Sequence, residues 1–216
     1  MTSTQSDDWH SRFRQLGLQE MQRLALLRPT AIATRRFWFL RHGETEGNAT
    51  RIIQHADISL NATGFEQAER AAQVLKRQPI ARICGSTMTR AWQTAETVGR
   101  ALGEAPIRED GLRERWFGDL VGTTSVGLNW SADPPNGERI ADFVERTCAT
   151  AERLLATDEP TLLVAHGGNL YTLAMSLKIE LQVPYIANAT PLLFEHGDAG
   201  WRITPLAAQD KVLPPS

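Results

Sequence analysis

The sequence predicts an α/β fold: a mostly parallel central sheet covered by helices on both faces, preceded by an N-terminal helical extension. Three observations carry that expectation. Phe37–Leu40 is a short continuous apolar run, as in a strand buried on both faces, and Ile80–Cys84 and Thr161–Ala165 read as two further short strands. Segments with apolar residues at helical spacing alternate with them. The chain has 216 residues, 42% hydrophobic and 22% charged, an ordinary globular composition long enough for one sizeable core.

Taken in order, Asp7 or Asp8 caps a helix expected from near Trp9, with Phe13 and Leu16 on one face. Gly17 interrupts the pattern, Met21, Leu24 and Leu27 form a second apolar set, and Pro29 ends it. Residues 1–34 therefore read as a helical extension packed on one domain of residues 35–216. Within the domain, Phe65 to Gln78 reads as a helix with Ala68, Ala71, Ala72 and Leu75 inward. Met88 to Leu102 is a second helix, with Ala91, Ala95, Val98 and Leu102 on its buried stripe. Ile140 to Leu155 is a third, burying Phe143, Val144, Cys148 and Ala151, and Leu170 to Leu181 a fourth. The closing "PLLFEHGDAGWRIT" has the alternation of a hairpin turning at Gly197 to Gly200.

The net charge is −2, so no global basic field argues for nucleic acid, and any anion site must be built locally. Cys84 and Cys148 stand alone in apolar stretches and read as buried free thiols, outside any metal-ligand spacing. No apolar run approaches the roughly 20 residues of a membrane span, and the N-terminus lacks the apolar core of a secretory signal. The expected location is cytoplasmic, with no membrane or nucleic-acid partner. Nothing in the chain indicates an oligomeric state.

The informative regularity lies at the carboxyl end of each apolar strand. The first ends in Arg41-His42-Gly43, the second in Gly85-Ser86 with Arg90 one turn further, and "TLLVA" in His166-Gly167-Gly168. Ligands of open parallel sheets bind outside the carboxyl ends of the strands. If these strands are neighbours, two histidines and two arginines converge on one pocket. Glycines beside both histidines are expected to let a ligand approach the backbone. Two guanidinium forks suit phosphate oxygens, an imidazole can act as nucleophile, and a partly protonated carboxylic acid can supply a leaving alkoxide with its proton. Glu114, flanked by Leu112, Trp116 and Phe117, is the candidate acid. Each has a plainer reading: a capping or core histidine, a solvated Arg90, and a surface ion pair of Glu114 with Arg113 or Arg115.

The segments "LRHGETEGN", "STMTRAWQTA", "LRERWFGDLVG", "DPPNGER" and "LLVAHGGN" succeed one another in an order that resembles the histidine phosphatase superfamily, the phosphoglycerate mutase-like proteins. The resemblance covers roughly residues 36–206 and rests on five ordered motifs rather than one. It implies the phosphoglycerate mutase-like three-layer sandwich, and a reaction that needs no metal or other cofactor. By the same resemblance His42 is the nucleophile that becomes phosphohistidine. Arg41, Arg90 and His166 complete the phosphate pocket, Asn48 and the Gly167 N–H contact phosphoryl oxygens, and Glu114 is the proton donor. The partner implied is a small-molecule phosphate ester.

Cofactor-dependent mutases of the family resemble one another in a long insertion bearing a lysine and an arginine pair. Here the corresponding "GTTSVGLNWSADP" is short and has neither residue, and Phe117 stands where those mutases have tyrosine. The expected activity is therefore a metal-independent phosphomonoesterase. Mutase-type phosphoryl transfer and a silent phospho-ligand binding module are the alternatives. Leu120-Val121 and Arg139 depart from the family's usual residues near the substrate mouth, so no substrate is named. His55 and Trp130 are weighed as substrate contacts against packed or solvated loop residues. Arg139 is weighed as a second anion site against an ion pair with Glu138 or Asp142. His10 and His196 read as surface residues.

Overall fold

The computed structural model describes residues 17–207. The helix expected near Trp9, with His10, lies outside them. Helix α1 (Gln19–Leu27) comes first, then β1 (Arg36–Arg41), the short α2 (Glu46–Thr50), α3 (Ala62–Leu75), β2 (Arg82–Ser86) and α4 (Thr89–Leu102). Strand β3 (Ile107–Glu109), α5 (Ile140–Leu154), β4 (Thr161–Ala165), α6 (Gly167–Ser176) and the hairpin β5 (Pro191–Gly197) and β6 (Gly200–Pro205) complete the order.

The six strands lie in the order β3-β2-β4-β1-β5-β6. The β2–β3, β2–β4 and β1–β4 pairs are parallel, and β5 and β6 join antiparallel at one edge. Period-two alternation sorts the core into two layers. Phe37, Phe39, Leu163, Ala165 and Phe194 face the layer built by α1, α5 and α6; Trp38, Leu40, Leu162 and Val164 face α3 and α4.

Local signals explain the helix boundaries. The Asn61 side chain accepts from Gly64 N at 2.8 Å and starts α3 at Ala62, three residues before Phe65. Gly103 ends α4 in the left-handed conformation, φ +78°. The fourth expected helix is α6, three residues earlier at its start and five shorter at its end. His166 occupies its N-cap, and Asn169 Oδ1 accepts from His166 N at 3.3 Å. In α1, Met21 and Ala25 are buried and Leu24 is half-buried, but Leu27 is 70% exposed, against expectation. Leu27 lies six positions beyond Met21, about a third of a turn off its face.

Leu18, Met21 and Ala25 sit in the larger core layer beside α6, and Arg28 ties the end of α1 to Glu145 and Glu152 of α5. We propose that this segment belongs to the stability of the domain rather than hanging from it. Removal of residues 1–28 is expected to lower the melting temperature, because uncovering each large side chain costs roughly 1.5–3 kcal/mol. An unchanged melting temperature would contradict this.

Candidate active site

Parallel register sets the site. Arg41 pairs with Ala165 across β1–β4, and Gly85 with Val164 across β2–β4, so the three strands end together. His42 N then donates to Ala165 O at 3.0 Å, and the His42 and His166 ring centroids stand 5.1 Å apart. A cavity of about 580 Å³ opens at this edge. Arg41, His42, Asn48, Arg90, Glu114 and Gly167 all line it. His166, expected in the same pocket, is fully buried beside His42 and does not itself line the cavity.

His42 is held in one tautomer. Its Nδ1 lies 2.7 Å from Gly43 O and donates to it, so Nε2 carries the lone pair. Arg90 Nε donates to that Nε2 at 3.2 Å, while Arg90 Nη1 donates to His55 O at 3.0 Å. Burial, then the charges of Arg90 and Arg41, push the His42 pKa well below its ordinary value, keeping the ring neutral. His166 is shifted the same way, first by burial and then by Arg90, His42 and Arg41. Its Nε2 meets Ser86 Oγ at 2.9 Å. Burial also lowers Arg90, to about 10.

Glu114 reaches the same cavity from the segment after β3. Its Oε2 accepts from Gly168 N at 3.0 Å and its Oε1 from Arg115 N at 3.0 Å. Burial raises its pKa and outweighs these two amides and the charges of Arg90 and Arg41. The cavity thus sets a neutral imidazole, its Nε2 unprotonated and accepting from Arg90, near a carboxyl group biased toward its protonated form.

These shifts have a sign in stability. A histidine kept neutral by burial binds fewer protons folded than unfolded. The contributions of His42 and His166 are complete above the unfolded value of 6.5 and are lost as pH falls toward their folded values. Glu114, raised, contributes below 4.5 and loses that contribution as pH rises through its folded value. The melting temperature is expected to drop as pH falls below 6.5, with a shallower drop in His166→Asn; equal slopes in both proteins would contradict it.

The two strand-end glycines expected to admit ligand differ in what they do. A Cβ on Gly43 would collide with Gly64 O, and a Cβ on Gly64 with Glu44 O. Gly43 therefore lets the first turn of α3 pack against the strand end and does not open the backbone to ligand. Gly167 fits the expectation: it lines the cavity, and a Cβ there would meet only Arg41, with Nε at 3.8 Å. It is the first residue of α6, where helix amides lack an intrahelical acceptor.

Arg115 corrects another reading. Its side chain is fully buried rather than paired with Glu114 at the surface. It donates to Glu138 O at 2.9 Å, Trp130 O at 2.5 Å, and Ala132 O and Asp133 Oδ1 at 3.0 Å each. Asp133 Oδ1 also accepts from Ile140 N at 2.7 Å, so one carboxylate joins this clamp to the start of α5. Trp130 lines the cavity while packing edge-on against Phe117, 5.0 Å between centroids. His55 lines a neighbouring cavity that also reaches Glu114. Arg139 is exposed and approaches Asp133 at 3.8 Å, not Glu138 or Asp142. His196 is exposed beside Trp201, and both cysteines are buried and free.

Asn188 is a contributor that no motif marks. Its Nδ2 donates to His42 O at 2.9 Å and to Asn48 Oδ1 at 3.2 Å, fixing the Asn48 amide at the cavity wall. Thr94, inside the "STMTRAWQTA" motif but not singled out from it, is another support: its Oγ1 accepts from Gly43 N at 3.1 Å and donates to Arg90 O at 2.8 Å. Among the described residues, no helix is long and apolar enough to cross a membrane, and no three His, Cys, Asp or Glu side chains cluster as metal ligands.

The chain is similar to known proteins. The chain is 34% identical over 191 residues to a glucosyl-3-phosphoglycerate phosphatase of Mycolicibacterium vanbaalenii, covering 77% of this chain and 82% of that protein. It is 32% identical over 163 residues to a broad-specificity phosphatase of Saccharomyces cerevisiae, covering 67% and 71%. The solved structure of mycobacterial glucosyl-3-phosphoglycerate phosphatase with VO3 superposes with a TM-score of 0.66 at 30% identity, covering 79% of this chain and 97% of that one. The family model described as histidine phosphatase superfamily (branch 1) matches residues 37–208, and the chain belongs to that superfamily.

Proposed function

We propose that the protein is a metal-independent phosphomonoesterase that hydrolyses a small phosphorylated metabolite through a phosphohistidine at His42. The observation that carries this reading is the fixed His42 tautomer, Nδ1–H on Gly43 O with Nε2 unprotonated at the cavity. The phosphatase relatives support the same reaction class.

In the first step Nε2 attacks phosphorus and the P–O bond to the leaving group breaks, while Glu114 gives that oxygen its proton. Arg41, Arg90 and the Gly167 N–H receive the charge spreading over the phosphoryl oxygens, and Asn48 orients them. For this, Arg90 must exchange its bond to Nε2 for one to phosphate, so the resting contact marks the phosphoryl position. In the second step Glu114, now ionised, takes a proton from water. The resulting hydroxide displaces His42 from phosphorus, releasing phosphate and restoring the neutral ring.

The downward shift of His42 and the upward shift of Glu114 both act to keep the ring unprotonated and the carboxyl protonated at the same pH, which favours activity toward acidic pH. Phosphate release from p-nitrophenyl phosphate with excess EDTA tests the assignment: turnover unaffected by chelation is expected. Loss of turnover on chelation, or transfer of phosphate only between phosphoglycerates, would overturn it.

Glu114 offers a sharper check through a residue that does not touch substrate. A Cβ on Gly168 would collide with Glu114 Oε1 and press on the rings of Phe143 and Trp130, each at 2.9 Å. Gly168→Ala is expected to displace the carboxyl and lower kcat on the order of 10²-fold. The loss should be smaller for p-nitrophenyl phosphate, whose leaving group needs little protonation, than for an alkyl phosphate. Equal losses of kcat/KM on both esters, which report the phosphorylation step without the shared hydrolysis of the intermediate, would show that Glu114 is not the donor.

A further inference from the structure

Cations line the cavity beyond what a phosphoryl group requires. Arg41, Arg51, Arg90 and Arg115 contribute to the wall, against the single carboxyl of Glu114. Arg90 is bonded to His42 and the His55 carbonyl, Arg41 Nη1 donates to Ile186 O at 2.6 Å, and both shift the His42 charge balance from close by. Arg115 is engaged in the clamp on residues 130–138. Arg51 differs from all three: it is exposed, and among the described residues its side chain makes no ion pair or hydrogen bond.

Its backbone carries a second observation. Arg51 closes α2 in the left-handed region, φ +57° and ψ +47°, where glycine or asparagine is the usual occupant. The conformation is imposed by neighbours on both sides. Ile52 N donates to Gly47 O at 2.8 Å, Ser125 N donates to Arg51 O at 2.8 Å, and Ile52 bridges Thr124. The strained residue is thus fixed at the rim where the segment after α2 meets the segment 122–128, and Ser125, Val126, Gly127 and Leu128 share the cavity lining with it. A C-terminal charge effect on a five-residue helix is a weak alternative reason for an arginine here, because so short a helix sums few peptide dipoles.

We propose that Arg51 is a second anion subsite, selecting phosphate monoesters whose leaving group carries a further anionic group, a carboxylate or a second phosphate. The inference rests on the reading that the phosphoryl group sits at His42. With that group on Arg41 and Arg90, the remainder of a small metabolite fills the rest of a cavity of about 580 Å³ and brings its other charge to the rim. A guanidinium in an open mouth supplies a charge-assisted fork without the desolvation cost of a buried one.

Matched ester pairs test this: 3-phosphoglycerate against glycerol 3-phosphate, and fructose 1,6-bisphosphate against fructose 6-phosphate. The wild type is expected to favour the more anionic member of at least one pair, and which pair shows it identifies carboxylate or phosphate as the second group. Arg51→Ala is expected to reduce that kcat/KM preference about tenfold or more, through KM, and rising ionic strength to erode it in the wild type. Arg51→Gly should lose the same preference while raising the melting temperature, since it relieves the left-handed strain. A preference unchanged in Arg51→Ala, or absent from both wild-type pairs, overturns the subsite. If no ester is cleaved, the hydrolase reading fails by itself. Calorimetric binding of 3-phosphoglycerate and glycerol 3-phosphate to wild type and Arg51→Ala then decides the subsite by the same ratio.

Discussion

His42→Ala is expected to lower phosphomonoester turnover by at least about 10⁴-fold while the fold persists. The fold should survive because the contacts that seat this residue in the sheet come from its backbone. His42 N donates to Ala165 O, and His42 O accepts from Asn188 Nδ2 and from Ala189 N. The imidazole itself faces the cavity, where water can take its place beside Arg90. What disappears is the unprotonated Nε2 in line with the phosphoryl position, and no other side chain supplies it. His166 cannot substitute, because it is fully buried outside the cavity lining with its Nε2 bonded to Ser86 Oγ. Steady-state kinetics with circular dichroism on the same preparation checks both halves. Near-wild-type turnover in a folded variant would remove His42 from the reaction.

The second large effect is on stability. Arg115→Ala is expected to cost about 3–5 kcal/mol in urea unfolding, because it strips partners from the carbonyls of Trp130, Ala132 and Glu138 and opens a void. Arg115→Lys should recover little of this. An ammonium cannot spread three donors over that set, and the charge would remain buried, where desolvation already depresses the arginine. Asp133, half-exposed, is its only ion-pair partner among the described residues. Since Trp130 forms part of the cavity wall, both variants should also raise KM. An unfolding midpoint equal to the wild type in Arg115→Lys would contradict the clamp.

How far these features could be read from the chain depends on where their signals lie. Strands β1 and β4 announce themselves because burial on both faces demands consecutive apolar residues, whereas β2, with only Ile83 and Cys84 apolar, lies two residues beyond the expected Ile80–Cys84 and runs through Gly85 to Ser86. Strand β3 gives no such signal: Ile107 and Arg108 are exposed, and three residues at a sheet edge need no hydrophobic run. Helix α2 escapes for a related reason. It buries nothing and depends on Thr45 Oγ1 accepting from Asn48 N at 3.2 Å, a capping pattern that looks like loop sequence.

The side chains around the cavity were legible as motifs, since strand ends concentrate them at one edge. Their supports were not. Asn188 acts on a residue 146 positions away, and nothing near it in sequence marks the contact. Arg115 misleads because charged neighbours suggest solvent, whereas its partners are carbonyls of a loop that has no charge pattern to match. Gly43 misleads differently. The reason for glycine there is the backbone of Gly64, which only the packed structure brings near.

The most direct measurement is the fate of the phosphoryl group in Glu114→Gln. With the proton donor and water-activating group removed, p-nitrophenyl phosphate should still phosphorylate the enzyme through its good leaving group, while hydrolysis of the intermediate slows. Rapid quench at alkaline pH followed by peptide mass spectrometry is expected to find an acid-labile, base-stable phosphate on His42 and nowhere else. A phosphate on another residue, or its complete absence while p-nitrophenol is released in a single-turnover burst, would contradict the account.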